Sequence, residues 1–145
     1  MADIVLVSLG STAGLWAADE ELASSLGRAG VSVAIARTAP QADVRTLMRT
    51  DLHWARAARE AATAVIEVEQ PAAVIYSTIT AALLWPMRGA IRFDALSAAN
   101  RPGRHGLWQR PLERKRLRDA PLLLPWNAGS LDGCPKLSAS RPNQP

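Results

Sequence analysis

Four short stretches carry residue types that could bind or transform a ligand. The first is Gly10-Ser11-Thr12-Ala13-Gly14, directly behind the apolar run Ile4 to Leu9. Small residues there allow a backbone to approach a ligand, and the amides of a helix starting behind them favour an anion. The spacing is neither GxGxxG nor a P-loop with its lysine. The turn therefore reads equally well as a plain connection whose glycines serve geometry, or as a phosphate or sugar contact through Gly10, Ser11, Thr12 and Gly14. Ser77-Thr78 and Phe93-Asp94 also follow apolar runs. Ser77 and Thr78 are candidate substrate-binding hydroxyls. Asp94 could accept sugar hydroxyls or act as a base, and could equally cap the turn. The fourth stretch is Arg101-Pro102-Gly103-Arg104-His105-Gly106. Arginine presents a fixed fork of donors suited to phosphate or carboxylate, which makes Arg101 and Arg104 binding candidates. Histidine is the side chain suited to acid or base chemistry near pH 7, so His105 joins Asp94 as a catalytic candidate. The bland alternative is a solvated loop.

The elements that would position these residues follow from periodicity. Ile4–Leu9 is a continuous apolar run, as in a strand buried on both faces. Behind the glycine turn, the acids Asp19, Glu20 and Glu21 suggest the first turn of a helix that ends near Gly27 or Gly30. Val31 to Ala36 is a second strand, which completes a βαβ unit with a parallel, right-handed crossover. Leu52, Ala55, Ala58, Ala62, Val65 and Ile66 recur at three and four and predict a helical region over 43–69, with a break near Thr50-Asp51 where Asp51 would cap a second segment. Strands follow at Ala72 to Ser77, Ala90 to Phe93 and Leu122 to Leu124. A short helix over Thr78 to Trp85 and a basic helix over Trp108 to Asp119 lie between them, the latter with Pro111 in its first turn. Glycine 10, Ser77, Asp94 and the Arg101–His105 loop all follow carboxyl ends of strands and are expected to converge on one open face.

Composition narrows the classes. In 145 residues, 48% are hydrophobic, which excludes a disordered or collagen-like chain over most of the length. Cys134 is the only cysteine, so no internal disulfide forms, and with His53 and His105 as the only histidines a Cys/His zinc cluster is excluded. No metal site is expected. Met1-Ala2-Asp3 lacks the basic region of a secretory leader, and no apolar stretch approaches a membrane span; a cytoplasmic location is expected. Residues 1–80 carry six basic and nine acidic side chains; residues 81–145 carry eleven basic and four acidic. The basic half, with Arg110, Arg114, Lys115, Arg116 and Arg118 on one helix, would suit a phosphate-rich ligand or the inner face of a membrane. No helix-turn-helix, RNP or KH signature accompanies it, so no specific nucleic acid is expected. From Trp126 onward Asn, Gly, Ser, Pro and Lys dominate, and residues 129–145 are expected to be a disordered tail or truncated linker behind a domain over 1–128.

Taken together, Asp3-Ile4-Val5-Leu6-Val7-Ser8-Leu9-Gly10, the turn to Gly14, the stretch from Glu21 to Val33, Ile91-Arg92-Phe93-Asp94-Ala95, Asn100 to Gly106 and Arg118 to Pro125 resemble the N-terminal domain of GT-B glycosyltransferases of family 4, the glycogen-synthase-like kind. The resemblance covers about residues 3–128. It implies an α/β, Rossmann-like three-layer domain with a parallel β-sheet, one half of a GT-B fold. It further implies transfer of a sugar from a nucleotide-sugar donor, as substrate and not cofactor, to a sugar or lipid acceptor. In such enzymes the N-terminal domain mainly holds the acceptor, and the first glycine loop, here Gly10 to Gly14, approaches the donor. Many members carry a histidine just after a late strand, where this sequence reads Arg92-Phe93-Asp94. The donor-gripping second domain has no counterpart in these 145 residues, so the chain alone is expected to be inactive. The competing class is a non-catalytic Rossmann-like module for a nucleotide or a partner protein.

Overall fold

The computed structural model describes residues 1–96 and 102–127, with only the backbone of His105 described. In chain order the elements are β1 (Ile4–Ser8), α1 (Ala13–Arg28), β2 (Val33–Arg37), α2 (Leu47–Glu69), β3 (Ala73–Tyr76), α3 (Ile79–Ala82), β4 (Ala90–Phe93), a 3-10 turn (Gly103–Gly106), α4 (Gln109–Asp119) and β5 (Leu123–Pro125). The strands form one sheet in the order β2-β1-β3-β4-β5. Every pairing is parallel, with Ile4 opposite Val33 on one side and Ala73 on the other. Chain order reverses at β1, so the topological switch point lies between β1 and β3.

Alternation along β1 explains the layers. Val5 and Val7 point to a core shared with Ala55, Ala58 and Ala62 of α2 and with Leu83 and Leu117. Leu6 points the other way, against Ile75, Ala90 and the Leu22, Ala23 and Leu26 side chains of α1. Because a strand's side chains alternate, an apolar run without polar gaps must be covered on both faces. The result is a three-layer, Rossmann-like α/β domain. The small alanines of α2 let that helix sit close to the sheet.

Two helices begin where the acidic or periodic signals did not place them. Helix α1 starts at Ala13, not at Asp19: Thr12 has extended backbone and its hydroxyl accepts from the Leu15 amide at 3.2 Å. A threonine N-cap satisfies an otherwise orphaned amide, and this outweighs the weaker pull of acids on the dipole. Helix α2 runs unbroken from Leu47, capped by Thr46 onto the Arg49 amide. Asp51 therefore caps nothing. It lies inside the helix on the buried stripe with Ala55, Ala58 and Ala62. The helix ends at Gln70 in left-handed conformation, ahead of Pro71. Pro111 does sit in the first turn of α4. Glycine is required at position 89, just before β4, because a Cβ there would collide with the Val74 carbonyl oxygen of the neighbouring strand. Among the described residues no helix is long and apolar enough to cross a membrane. The expected tail over 129–145 lies outside the described residues.

Candidate functional site

A cleft of about 210 Å³ opens beyond the carboxyl ends of the strands. Leu9 enters it from β1, Ser77 and Thr78 from β3, and Phe93 and Asp94 from β4, while α4 contributes Gln109 and Glu113. Parallel strands point their carboxyl ends the same way, and the splitting of helices to opposite faces at the switch point leaves a crevice there. The half-exposed Trp126, just past β5, is also part of the wall. Its ring carries the Arg92 guanidinium at 4.2 Å.

The candidates divide. Ser77, Thr78 and Asp94 line the cleft together. Ser77 is buried, and its hydroxyl accepts from the Leu9 amide at 3.1 Å, which ties β3 to β1 at the switch point. Thr78 caps α3 through the Ala81 amide at 3.1 Å. Asp94 is exposed. Gly10, Ser11, Thr12 and Gly14 are not among the lining residues, although Leu9 and Leu15 on either side are. Gly10 holds φ +59°, and the Trp16 indole lies so close that a Cβ would reach its Cδ1 at 3.0 Å. The Arg37 guanidinium stacks on that same indole at 4.4 Å. The turn's glycine thus serves a bend and a tryptophan. Arg104 lies exposed on the 3-10 turn and does not line the cleft; Arg101 and the His105 side chain lie outside the described residues. On α4, Arg110 donates to the Gly103 carbonyl, Lys115 pairs with Asp119, and Arg116 donates to the Leu83 carbonyl while lying over Trp85.

Two polar clusters lie around the strand ends. In the first, Asp19 is buried against the sheet. Its Oδ2 accepts from the Ser8 hydroxyl at 2.6 Å, and its Oδ1 faces the Arg92 guanidinium at 3.3 Å. Burial pushes the Asp19 carboxyl above the ordinary aspartate value, and the Ser8, Arg92 and Ser77 contacts oppose that rise without cancelling it. In the second, Gln109 Nε2 donates to Asp51 Oδ2 at 2.6 Å between α4 and α2. The other end of that amide, Oε1, is buried and has no hydrogen-bond partner. An unpartnered buried carbonyl costs about 1–3 kcal/mol, which makes it the least settled polar group in the cleft wall.

Asp51, Gln109 and Glu113 are cleft residues that motif reasoning passed over. A signal was present. Gln109 and Glu113 stand at i and i+4 on the same stripe as the buried Leu117, and Asp51 stands on the alanine stripe of α2. Polar residues on an apolar stripe mark a helix face that meets something other than the core. Among the described residues no cluster of three or more His, Cys, Asp and Glu is placed to hold a metal ion.

Comparison with family models, with curated proteins and with solved structures found no match. The fold and cleft define a parallel, Rossmann-like α/β domain whose architecture is consistent with a nucleotide- or ligand-binding module.

Proposed function

We propose that the domain is the acceptor-side half of a glycosyl-transfer site, holding a sugar or a sugar-bearing lipid in the cleft at the switch point. The observation that carries this reading is the lining: the hydroxyls of Ser77, Thr78 and Thr80 and the carboxylate of Asp94 stand beside Phe93 and Trp126 in a space suited to one sugar ring. Hydroxyls and carboxylates exchange hydrogen bonds with sugar hydroxyls, and aromatic walls cover the apolar face of a ring. The sequence resemblance to family-4 glycosyltransferases points the same way.

In this reading Asp94 accepts the proton of the attacking acceptor hydroxyl as general base, because it is the exposed carboxylate in the wall. Thr78 and Thr80 orient the neighbouring hydroxyls. Arg104, exposed on the 3-10 turn that precedes α4, is the arginine that meets the donor phosphates. Transfer requires donor and acceptor held together with water excluded. An open cleft of this kind does neither by itself, so a second domain, on this or another polypeptide, supplies the donor wall. Titrating the ¹⁵N-labelled chain with glucose and with a nucleotide sugar tests the reading. Saturable shifts at Ser77, Thr78 and Asp94 are expected with the free sugar. Shifts confined to the Gly10–Gly14 turn, or none with either compound, would remove it.

A further inference from the structure

Helix α4 has a second face, turned away from the cleft. Leu107 and Trp108 already hold right-handed helical backbone ahead of Gln109, so helical spacing applies from Leu107 onward. Leu107, Pro111, Arg114 and Arg118 follow one another at intervals of four, three and four and share one side. All four are exposed, Leu107 at 61%, and the exposed Lys115 lies beside them. Gln109, Glu113 and Leu117 fill the opposite, buried side. The helix thus sorts its charges. Its glutamate is turned inward, and Asp119, at the far end, is paired with Lys115 at 2.9 Å. Arg114 and Arg118 have no ion pair among the described residues. Arg88, also exposed, reaches the same end of the helix by donating to the Asp119 carbonyl.

A row of cations with a leucine and a proline among them suits an anionic surface that also has an apolar boundary. We propose that this face of α4 docks on an anionic lipid bilayer, with the arginines and Lys115 among the headgroup phosphates and Leu107 at the acyl boundary. A nucleic acid would supply the same negative charge. It stacks its bases on exposed aromatic rings, however, and this face has none: Trp108 is half-buried, and Arg116 lies over Trp85. It would also gain nothing from Leu107. The surface needs nothing from the acceptor reading of the cleft. Where that reading holds, the two faces of α4 join. The first turns of the helix wall the cleft, its outer side lies on the bilayer, and a helix is about 10 Å thick. A sugar-bearing lipid then presents its headgroup to the cleft without leaving the membrane.

The test is co-sedimentation of the full chain with vesicles of phosphatidylcholine alone and with about 30% phosphatidylglycerol added. Binding to the anionic vesicles is expected to be at least about tenfold tighter than to the neutral ones, and to fall away in about 0.5 M salt. Reversing both free arginines, Arg114→Glu with Arg118→Glu, should weaken it by about tenfold or more. The matched reversal on α2, Arg49→Glu with Arg56→Glu, also at exposed positions, should weaken it by about threefold at most, because salt screens charges that lie off the docked face. Leu107→Ser should weaken binding several-fold and leave its salt dependence unchanged, which a surface for polyanions in general would not show. No preference for anionic vesicles overturns the proposal. Equal losses from the two reversals mean that net charge binds and this face does not, and overturn it as well. A neutral Leu107→Ser, or tighter binding to a polyuridylate RNA than to the anionic vesicles, overturns the bilayer as the occupant. None of these results bears on sugar binding in the cleft, which the glucose titration reads separately.

Discussion

Asp19 and Asp51 are both buried aspartates on the sheet-facing side of a helix, at 1% and 8% exposure, and their surroundings differ in kind. Around Asp19 the groups close on one another: Ser8 donates to one carboxylate oxygen, Arg92 faces the other, and Arg92 in turn stacks on Trp126. At Asp51 one contact runs to the Gln109 amide, whose Oε1 is buried without a hydrogen-bond partner. A closed network is what a fold needs to pin α1, β1 and β4 together. A side chain such as Gln109, held at its nitrogen and unpartnered at its oxygen, is not accounted for by pinning alone. Burial of a charged residue does not by itself distinguish the two; the accounting of its partners does.

The contrast can be broken most directly at Asp19. Asp19→Ala strands the Arg92 guanidinium and the Ser8 hydroxyl, and chemical denaturation should show a loss of about 3 kcal/mol. A loss under about 1 kcal/mol would mean the first cluster is no more structural than the second. Asp19→Asn is gentler, about 1 kcal/mol at neutral pH, because an oxygen remains for Ser8. It carries a pH signature. The folded carboxyl holds its proton more readily than the unfolded one, so ionising it opposes folding. As pH falls from neutral through the raised folded value towards the ordinary 3.8, wild type should gain stability relative to Asp19→Asn, and the gain is complete below 3.8. Taking the difference between the two proteins cancels the surface carboxylates Glu21 and Asp119, whose values are lowered and whose contribution has the opposite sign. A flat difference would contradict the desolvation assigned to Asp19.

Thr12→Ala should cost about 1 kcal/mol through the lost cap of α1 and leave sugar binding unchanged. A loss of binding without a loss of stability would return the glycine turn to the ligand site. The smallest expected effect on stability is at the second cluster. Gln109→Leu should cost under about 1 kcal/mol, because removing the unpartnered carbonyl offsets part of the lost bond to Asp51, which keeps a further contact. A change that spares the fold and abolishes ligand binding would sharpen the contrast with Asp19 more than any other result.

The sheet was readable because it obeys strong rules. The apolar run at Ile4 to Leu9 demands two covered faces, and the βαβ order admits one handedness, so parallel pairing of β1 with β2 and β3 follows from the residues alone. Boundaries were less readable where two weak signals competed. Thr12 and the acids at 19–21 both announce a helix start, and Asp51 is as good a cap as it is a buried side chain. In each case tertiary contact decided, not propensity. Of the cleft, the hydroxyls and Asp94 could be placed from strand ends. Gln109 and Glu113 stood out only as polar residues on the stripe of Leu117, and the sequence does not state that this stripe of α4 borders the cleft. That is a fact about the packing of a helix sixteen residues beyond β4, and no local pattern encodes it.

The place of β1 in the sheet also has a consequence for how the domain comes into being. β1 is made before either of its partners, Val33 to Arg37 on one side and Ala73 to Tyr76 on the other. At synthesis rates of about 5–20 residues per second, roughly 3–14 s pass between the appearance of the first strand and the completion of its second neighbour. Throughout that interval the most apolar segment of the chain has at least one bare edge. A nascent chain with such an edge is a natural client for chaperones, and pausing translation before residue 77 should raise its aggregation more than pausing after it.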